Sequence, residues 1–214
     1  MEDRRSPFAV EFEKTVSEAW NADMLFTQGL FLIFFAVAFC VYWKLQSRVA
    51  QKRWLLVCSY VFYACFDWRF LALLFVSTTV DFVAANQMRG AEQKRRLSWL
   101  LVSLIVNLGM LAVFKYYNFF VDSVVELAAV FGTELPEPTT RLIVPVGISF
   151  FTFQTLSYTI DVYRGNLEAS VSFIDVAVFV AFFPQLVAGP IVRASNFLPQ
   201  LKARSPRSLS LIHI

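Results

Sequence analysis

The chain has 214 residues, 57% of them hydrophobic, with 24 phenylalanines against seven glycines and a formal charge of +3. So large an apolar share lies above the globular norm and exceeds what a soluble core of this length has to bury. The basic residues stand in short clusters between apolar runs rather than on one surface, so no nucleic acid partner is expected and the clusters read as membrane topology.

Residues 1–23 differ from the rest, with six acidic and three basic side chains. Phe8, Phe12 and Val16 recur at helical spacing opposite Glu11, Lys14 and Glu18. The segment reads either as an amphipathic helix on a membrane surface or as extra sequence ahead of the true start at Met24. It lacks the apolar core of a signal peptide.

Residues 24–43 are long enough to cross a bilayer core of about 30 Å, with Tyr42 and Trp43 at the far interface. Lys44, Arg48, Lys52 and Arg53 follow. A second apolar run covers residues 54–66 and ends at Asp67-Trp68-Arg69; a third covers residues 70–85 and carries Asp81. Arg89, Lys94, Arg95 and Arg96 form a second basic loop ahead of a fourth span, residues 97–114. The three cysteines, Cys40, Cys58 and Cys65, lie within these runs without metal-ligand spacing and read as small apolar residues.

Two further apolar segments, residues 142–160 and 173–192, are interrupted. Pro145 and Gly147 break the first near its start, and Pro184, Gly189 and Pro190 break the second near its end. Proline removes a backbone donor and crowds the preceding turn, so kinked or broken helices are expected. Beside the breaks stand Thr152, Gln154, Thr155, Tyr158 and Gln185. Irregular backbone and polar groups persist at membrane depth only where protein covers them or where they line a cavity.

Loop charge sets the expected orientation. With Lys44–Arg53 and Arg89–Arg96 cytoplasmic, the N-terminus, Asp67–Arg69 and residues 115–141 lie outside, and Asp161–Glu168 returns to the cytoplasm. A full crossing by residues 173–192 would then strand Arg193, Lys202, Arg204 and Arg207 outside. A re-entrant hairpin resolves the conflict, with Asn166 and Ser195 on the same side. The predicted fold is all-α: a multi-pass transmembrane helical bundle with kinked and re-entrant segments.

Soluble-enzyme chemistries find no support. There is no glycine-rich phosphate loop, and Gly147-Ile148-Ser149-Phe150-Phe151 lacks the second glycine of a nucleophile elbow. One histidine, His213, cannot build a zinc site.

The blocks P-V-G-I-S-F-F-T-F-Q (from Pro145), S-Y-x-I-D-V-Y-R-G (from Ser157) and F-x-x-F-F-P-Q-L-x-A-G-P-I (from Phe179) resemble the membrane-bound O-acyltransferase family. The likeness is to its branch of alginate O-acetylation proteins and the teichoic-acid D-alanylation transporter. It implies transfer of an acyl group, acetyl in this branch, to a cell-surface polysaccharide such as alginate. The donor, acetyl-CoA or an acyl carrier, is a substrate, and no bound cofactor or metal is implied. The setting it implies is a bacterial inner membrane, with the lipid bilayer and other membrane or periplasmic polysaccharide-modification proteins as partners.

The family uses a single intramembrane histidine downstream of the third block, and none stands in an apolar span here. The resemblance therefore implies that residues 24–200 are the N-terminal part of the acyltransferase domain, that 201–214 are a basic tail, and that no catalytic residue is present. What remains would be part of the substrate path, with Gln154 and Tyr158 on one helical face and Gln185 from the second broken segment. For each, a plain inter-helix hydrogen bond is the competing reading. Asp161 and Arg164, three apart, read as an interfacial ion pair. Asp81 reads as a buried acid that has a function or pairs with Arg69 or Arg89. A non-catalytic scaffold subunit and a transporter or channel remain as other function classes.

Overall fold

The computed structural model describes residues 29–131, 142–186 and 192–202. They form α1 (Gly29–Lys44), α2 (Arg48–Asp67), a single 3-10 turn (Trp68–Phe70), α3 (Leu71–Gln87), α4 (Gln93–Val130), α5 (Ile148–Arg164), α6 (Phe173–Ala181), α7 (Phe183–Leu186) and α8 (Ala194–Lys202). Among the described residues there is no strand, as the sequence predicts. Helices satisfy their backbone groups internally, which is what an apolar surrounding demands. The readings placed on residues 1–23, His213 and most of the basic tail fall outside the described residues.

Two helical stretches, Arg48–Gln87 and Gln93–Val130, are long and apolar enough to cross a membrane. The first is two helices joined at Asp67, whose extended backbone turns the chain while its carboxylate accepts from the Arg69 N–H at 2.9 Å and takes the guanidinium at 2.7 Å. The second overruns the sequence-based expectation. The fourth span does not stop at Phe114 but continues to Val130, because residues 115–130 contain neither glycine nor proline to end it.

Three helices, α3, α4 and α5, pack mutually, and α6 lies against α2 and α3. The main core gathers Tyr63, Leu74, Phe151, Tyr158, Phe179 and Leu186. A second cluster, Phe31, Phe62 and Phe183 with Cys58 and Cys65, joins α1 and α2 to α7. Outward faces remain apolar, with Leu32, Ile33, Ile105, Phe119 and Phe120 all more than 60% exposed. This is the surface of a helical membrane bundle, greasy outside and polar within.

The second broken segment and α8 begin and end against the same part of α2. At the start of α6, Asp175 takes Lys52 Nζ at 2.7 Å; at the end of α8, the Lys202 carbonyl accepts from Arg48 Nη1 at 3.4 Å. Both ends of residues 173–202 thus meet the N-terminal end of α2, the geometry of a hairpin. Its break falls at Phe182 (φ −56°, ψ 103°), two residues ahead of Pro184. Proline strains the residue before it and the turn behind it, so the interruption appears upstream of the ring.

The two interrupted segments come close at the start of α5. Gly147 caps the start of α5 in the left-handed region (φ 73°), and a Cβ built there would stand 2.9 Å from the Leu186 carbonyl oxygen. Only glycine meets both conditions. Replacing Gly147 with alanine is expected to lower stability by about 1–3 kcal/mol. Gly109→Ala, mid-helix with nothing within 4 Å of the added methyl, is expected to raise it by up to about 1 kcal/mol. Thermal unfolding of both variants in detergent checks the opposite signs; a harmless Gly147→Ala would remove the close approach from the account.

Candidate functional site

An unbroken helix would run a bond from the Phe183 N–H to the Phe179 carbonyl. The break at Phe182 separates the two, and side chains from other helices replace each half. Gln154 of α5 donates its amide Nε2 to the Phe179 oxygen at 2.6 Å. Ser59 of α2 accepts from the Phe183 N–H at 3.2 Å, while its own hydroxyl donates to the Leu55 carbonyl at 2.8 Å. Pro184 has no N–H to offer, and the N–H groups of Gln185 and Leu186 both turn back to the Phe182 carbonyl, at 2.9 and 3.0 Å. Phe183 is then locked among rings, 5.3 Å from Phe34 and 5.8 Å from Phe62.

The first broken segment is fixed in the same manner. The Tyr63 hydroxyl donates to the Val146 carbonyl at 3.0 Å, and Asn118 bonds both the Leu142 carbonyl (2.7 Å) and the Leu142 N–H (3.0 Å). Backbone released by Pro145 and Pro184 therefore finds partners on α2, α4 and α5.

Gln154 and Tyr158 do share one buried face of α5, as their spacing predicts. The Tyr158 hydroxyl accepts the Ser170 N–H at 3.0 Å, so Gln154 holds the re-entrant segment and Tyr158 the connection that leads into it. This is the inter-helix bonding that competed with a path role, and it uses only part of each group's capacity. Gln154 Oε1, Thr152 Oγ1 and Gln185 Oε1 are buried without a hydrogen-bond partner. Gln185 sits at the inner end of the re-entrant segment, in α7, and makes no bond to Gln154 or Tyr158.

Asp161 and Arg164 do not form the expected ion pair. Asp161 faces inward and is buried, with Oδ2 unpartnered, while Arg164 at the same helix end is exposed. Their spacing allows a pair on an open surface, but only Arg164 reaches one. Nor does Asp81 pair with Arg69 or Arg89. Its Oδ1 accepts from the Ser103 hydroxyl and from Asn107 Nδ2 at 2.9 Å, both on α4. Asn107 Oδ1 in turn accepts from Ser77 of α3 and lies 3.4 Å from the Thr155 hydroxyl of α5. All of these residues are fully buried, so a polar chain ties the three central helices together.

Sequence reasoning missed Ser77, Ser103 and Asn107. The signal was present: Ser77 and Asp81, like Ser103 and Asn107, stand four apart within apolar runs, each pair on one helix face. Among the described residues no cluster of three or more His, Cys, Asp or Glu could hold a metal ion.

Comparison with known proteins gives a consistent set of relatives. The chain is 38% identical over 184 residues to the probable alginate O-acetylase AlgI of Pseudomonas aeruginosa, covering 85% of this chain and 35% of that protein. It is 36% identical over 184 residues to the probable alginate O-acetylase AlgI of Azotobacter vinelandii, covering 85% and 37%. With the peptidoglycan O-acetyltransferase of Helicobacter pylori it shares 32% identity over 222 residues, covering 89% and 41%. The chain thus spans little more than a third of the length of the curated relatives it matches. No family model and no solved structure matches it.

Replacing Gln154 with leucine leaves the Phe179 carbonyl buried without its donor and is expected to cost about 1–2 kcal/mol. Ser157→Ala, whose hydroxyl only bonds back to its own helix at the Gln154 carbonyl, is expected to stay within about 0.5 kcal/mol of the parent. Chemical or thermal denaturation in detergent measures both. Equal effects would mean that Gln154 does not hold the break.

Proposed function

Proceeding from the chain's membership of the membrane-bound O-acyltransferase family, in its alginate O-acetylase branch, we propose that it forms part of an integral-membrane enzyme. That enzyme passes an acyl group, acetyl by likeness to the relatives, to a cell-surface polysaccharide. The single observation that carries this reading is the re-entrant segment of residues 173–202, stitched to α2 and α5 yet leaving buried side-chain oxygens unpartnered beside it. A donor on one side of a membrane and an acceptor on the other require a polar, protein-covered passage through the apolar layer. Broken backbone with spare acceptors meets that requirement.

Gln154, Tyr158 and Gln185 are the path residues in this reading. Gln154 holds the re-entrant segment and Tyr158 the connection that leads into it; the unpartnered Thr152 hydroxyl donates to the acyl carbonyl, and the amide oxygens of Gln154 and Gln185 accept from donors on the carrier or acceptor. No general base is assigned among the chain's own residues, because its one histidine, His213, stands in no apolar span. Acetyl-CoA or an acyl carrier would supply the acyl group, and other membrane or periplasmic polysaccharide-modification proteins would work alongside.

The orientation follows from charge. The connections 44–53, 88–96, 164–172 and 193–202 gather at one end of the bundle. Lys52 reaches Asp175, Arg48 reaches Lys202, Asn86 reaches Ser170, and Arg96 bonds the Val162 and Tyr163 carbonyls. That end carries the basic loops and is assigned to the cytoplasm of a bacterial cell, with the N-terminus outside.

Two measurements test this reading. In cells whose polysaccharide O-acetylation depends on the polypeptide containing this chain, Gln154→Leu combined with Gln185→Leu should lower polymer-bound acetate at least tenfold at unchanged protein level. Full acetylation in that variant would end the path assignment. For topology, Asn166→Cys and Ser195→Cys, in a background lacking the three native cysteines, should both resist a membrane-impermeant thiol reagent added to intact cells. Labelling of Ser195→Cys alone would show a full crossing and overturn the orientation.

A further inference from the structure

At the end of the bundle that carries the basic loops, a cleft of about 310 Å³ lies between the C-terminal turn of α1, the N-terminal end of α2, and α8. Arg48 and Lys52 line it, and among the described residues no acidic side chain does. Asp175, the counterion of Lys52, lies behind it with a 4% exposed side chain. Arg48 reaches across the mouth to the Lys202 carbonyl. The remaining wall divides by polarity: Gln46 and Gln200 are exposed at the surface, while Leu55, Phe182 and Phe197 form an apolar wall that ends at the helix break. Trp43, 44% exposed, stands at the rim.

The Arg48 guanidinium beside the Lys52–Asp175 pair, side-chain amides, an interfacial tryptophan and an apolar wall match one chemical class: an amphiphile with an anionic phosphodiester head. The neighbouring surface of α1 favours a lipid over a free phosphate, because Phe35 and Phe39 are exposed along the helix from Trp43, where acyl chains would lie. We infer that this cleft is a binding site for the headgroup of an anionic phospholipid, placed against the base of the re-entrant segment.

The test uses the 214-residue chain in detergent, with lipid retention followed by native mass spectrometry. Phosphatidylglycerol should be retained in preference to phosphatidylcholine. Arg48→Gln should weaken phosphatidylglycerol binding about fivefold, the effect of one basic residue near a headgroup. Gln200→Glu, at an exposed position on the cleft, should weaken it comparably by repulsion. Lys44→Gln removes the same charge outside the cleft and should leave binding unchanged. Equal retention of the two lipids, or equal losses in Arg48→Gln and Lys44→Gln, would reduce the effect to diffuse charge and overturn the site. Occupancy by inorganic phosphate at the same phosphate concentration would show that the cleft reads a free anion, and the lipid assignment would fall.

Discussion

The structure depends on one backbone constraint. Inside an apolar layer every N–H and carbonyl must find a partner within the protein, and Pro184 makes that impossible for a continuous helix. The bond lost between Phe183 and Phe179 is restored in two pieces by Ser59 and Gln154, from helices on either side. Those two side chains explain why α2 and α5 flank the re-entrant segment. They also explain why the segment can end inside the bundle at all. The packing of Phe183 among the rings of α1 and α2, and of Gly147 against Leu186, then fixes a geometry that the hydrogen bonds have already selected.

A second polar element works on different terms. The Asp81–Asn107–Ser77 chain bridges α3 and α4 and reaches Thr155 on α5, and it holds helices that are otherwise regular. Apolar side chains gain little from one another when lipid is the alternative, so packing and buried hydrogen bonds have to specify which helix lies beside which. Asp81 accepts two donors on one oxygen from a single neighbouring helix. That arrangement sets the rotation of α4 relative to α3 more sharply than the surrounding leucines could.

The helices and their breaks were legible because they depend on local rules: apolar run length, proline, glycine and basic loops. The hairpin was expected from a conflict of charge, with Arg193 and Lys202 drawn to the side of Arg48, together with the breaks at Pro184 and Gly189-Pro190. Partner choice was not legible, because it depends on which faces meet. Asp161 looked paired with Arg164 from spacing, yet the helix turns one inward and the other out. Asp81 looked in need of an arginine, and amide and hydroxyl groups from α4 answer it instead. Ser59 carried no sign of its role, since a serine in a helix bonding four residues back is common; its second bond exists only because the chain breaks elsewhere, 123 residues away at Phe182. The length of α4 was misjudged because Lys115 was read as a boundary, although a lone lysine over a tyrosine ring does not end a helix.

That length has a geometric consequence. Thirty-eight residues make a rod of about 57 Å, and a hydrocarbon layer of about 30 Å can swallow it only at a tilt near 60°, beyond the usual range of up to about 40°. Part of α4 must therefore stand proud of the bilayer like a mast. Its upper reach carries Phe119, Phe120, Leu127 and Val130, all more than half exposed, out among headgroups and water. A surface that greasy at that height is poorly matched to water, and it fixes where the chain leaves the membrane's shelter.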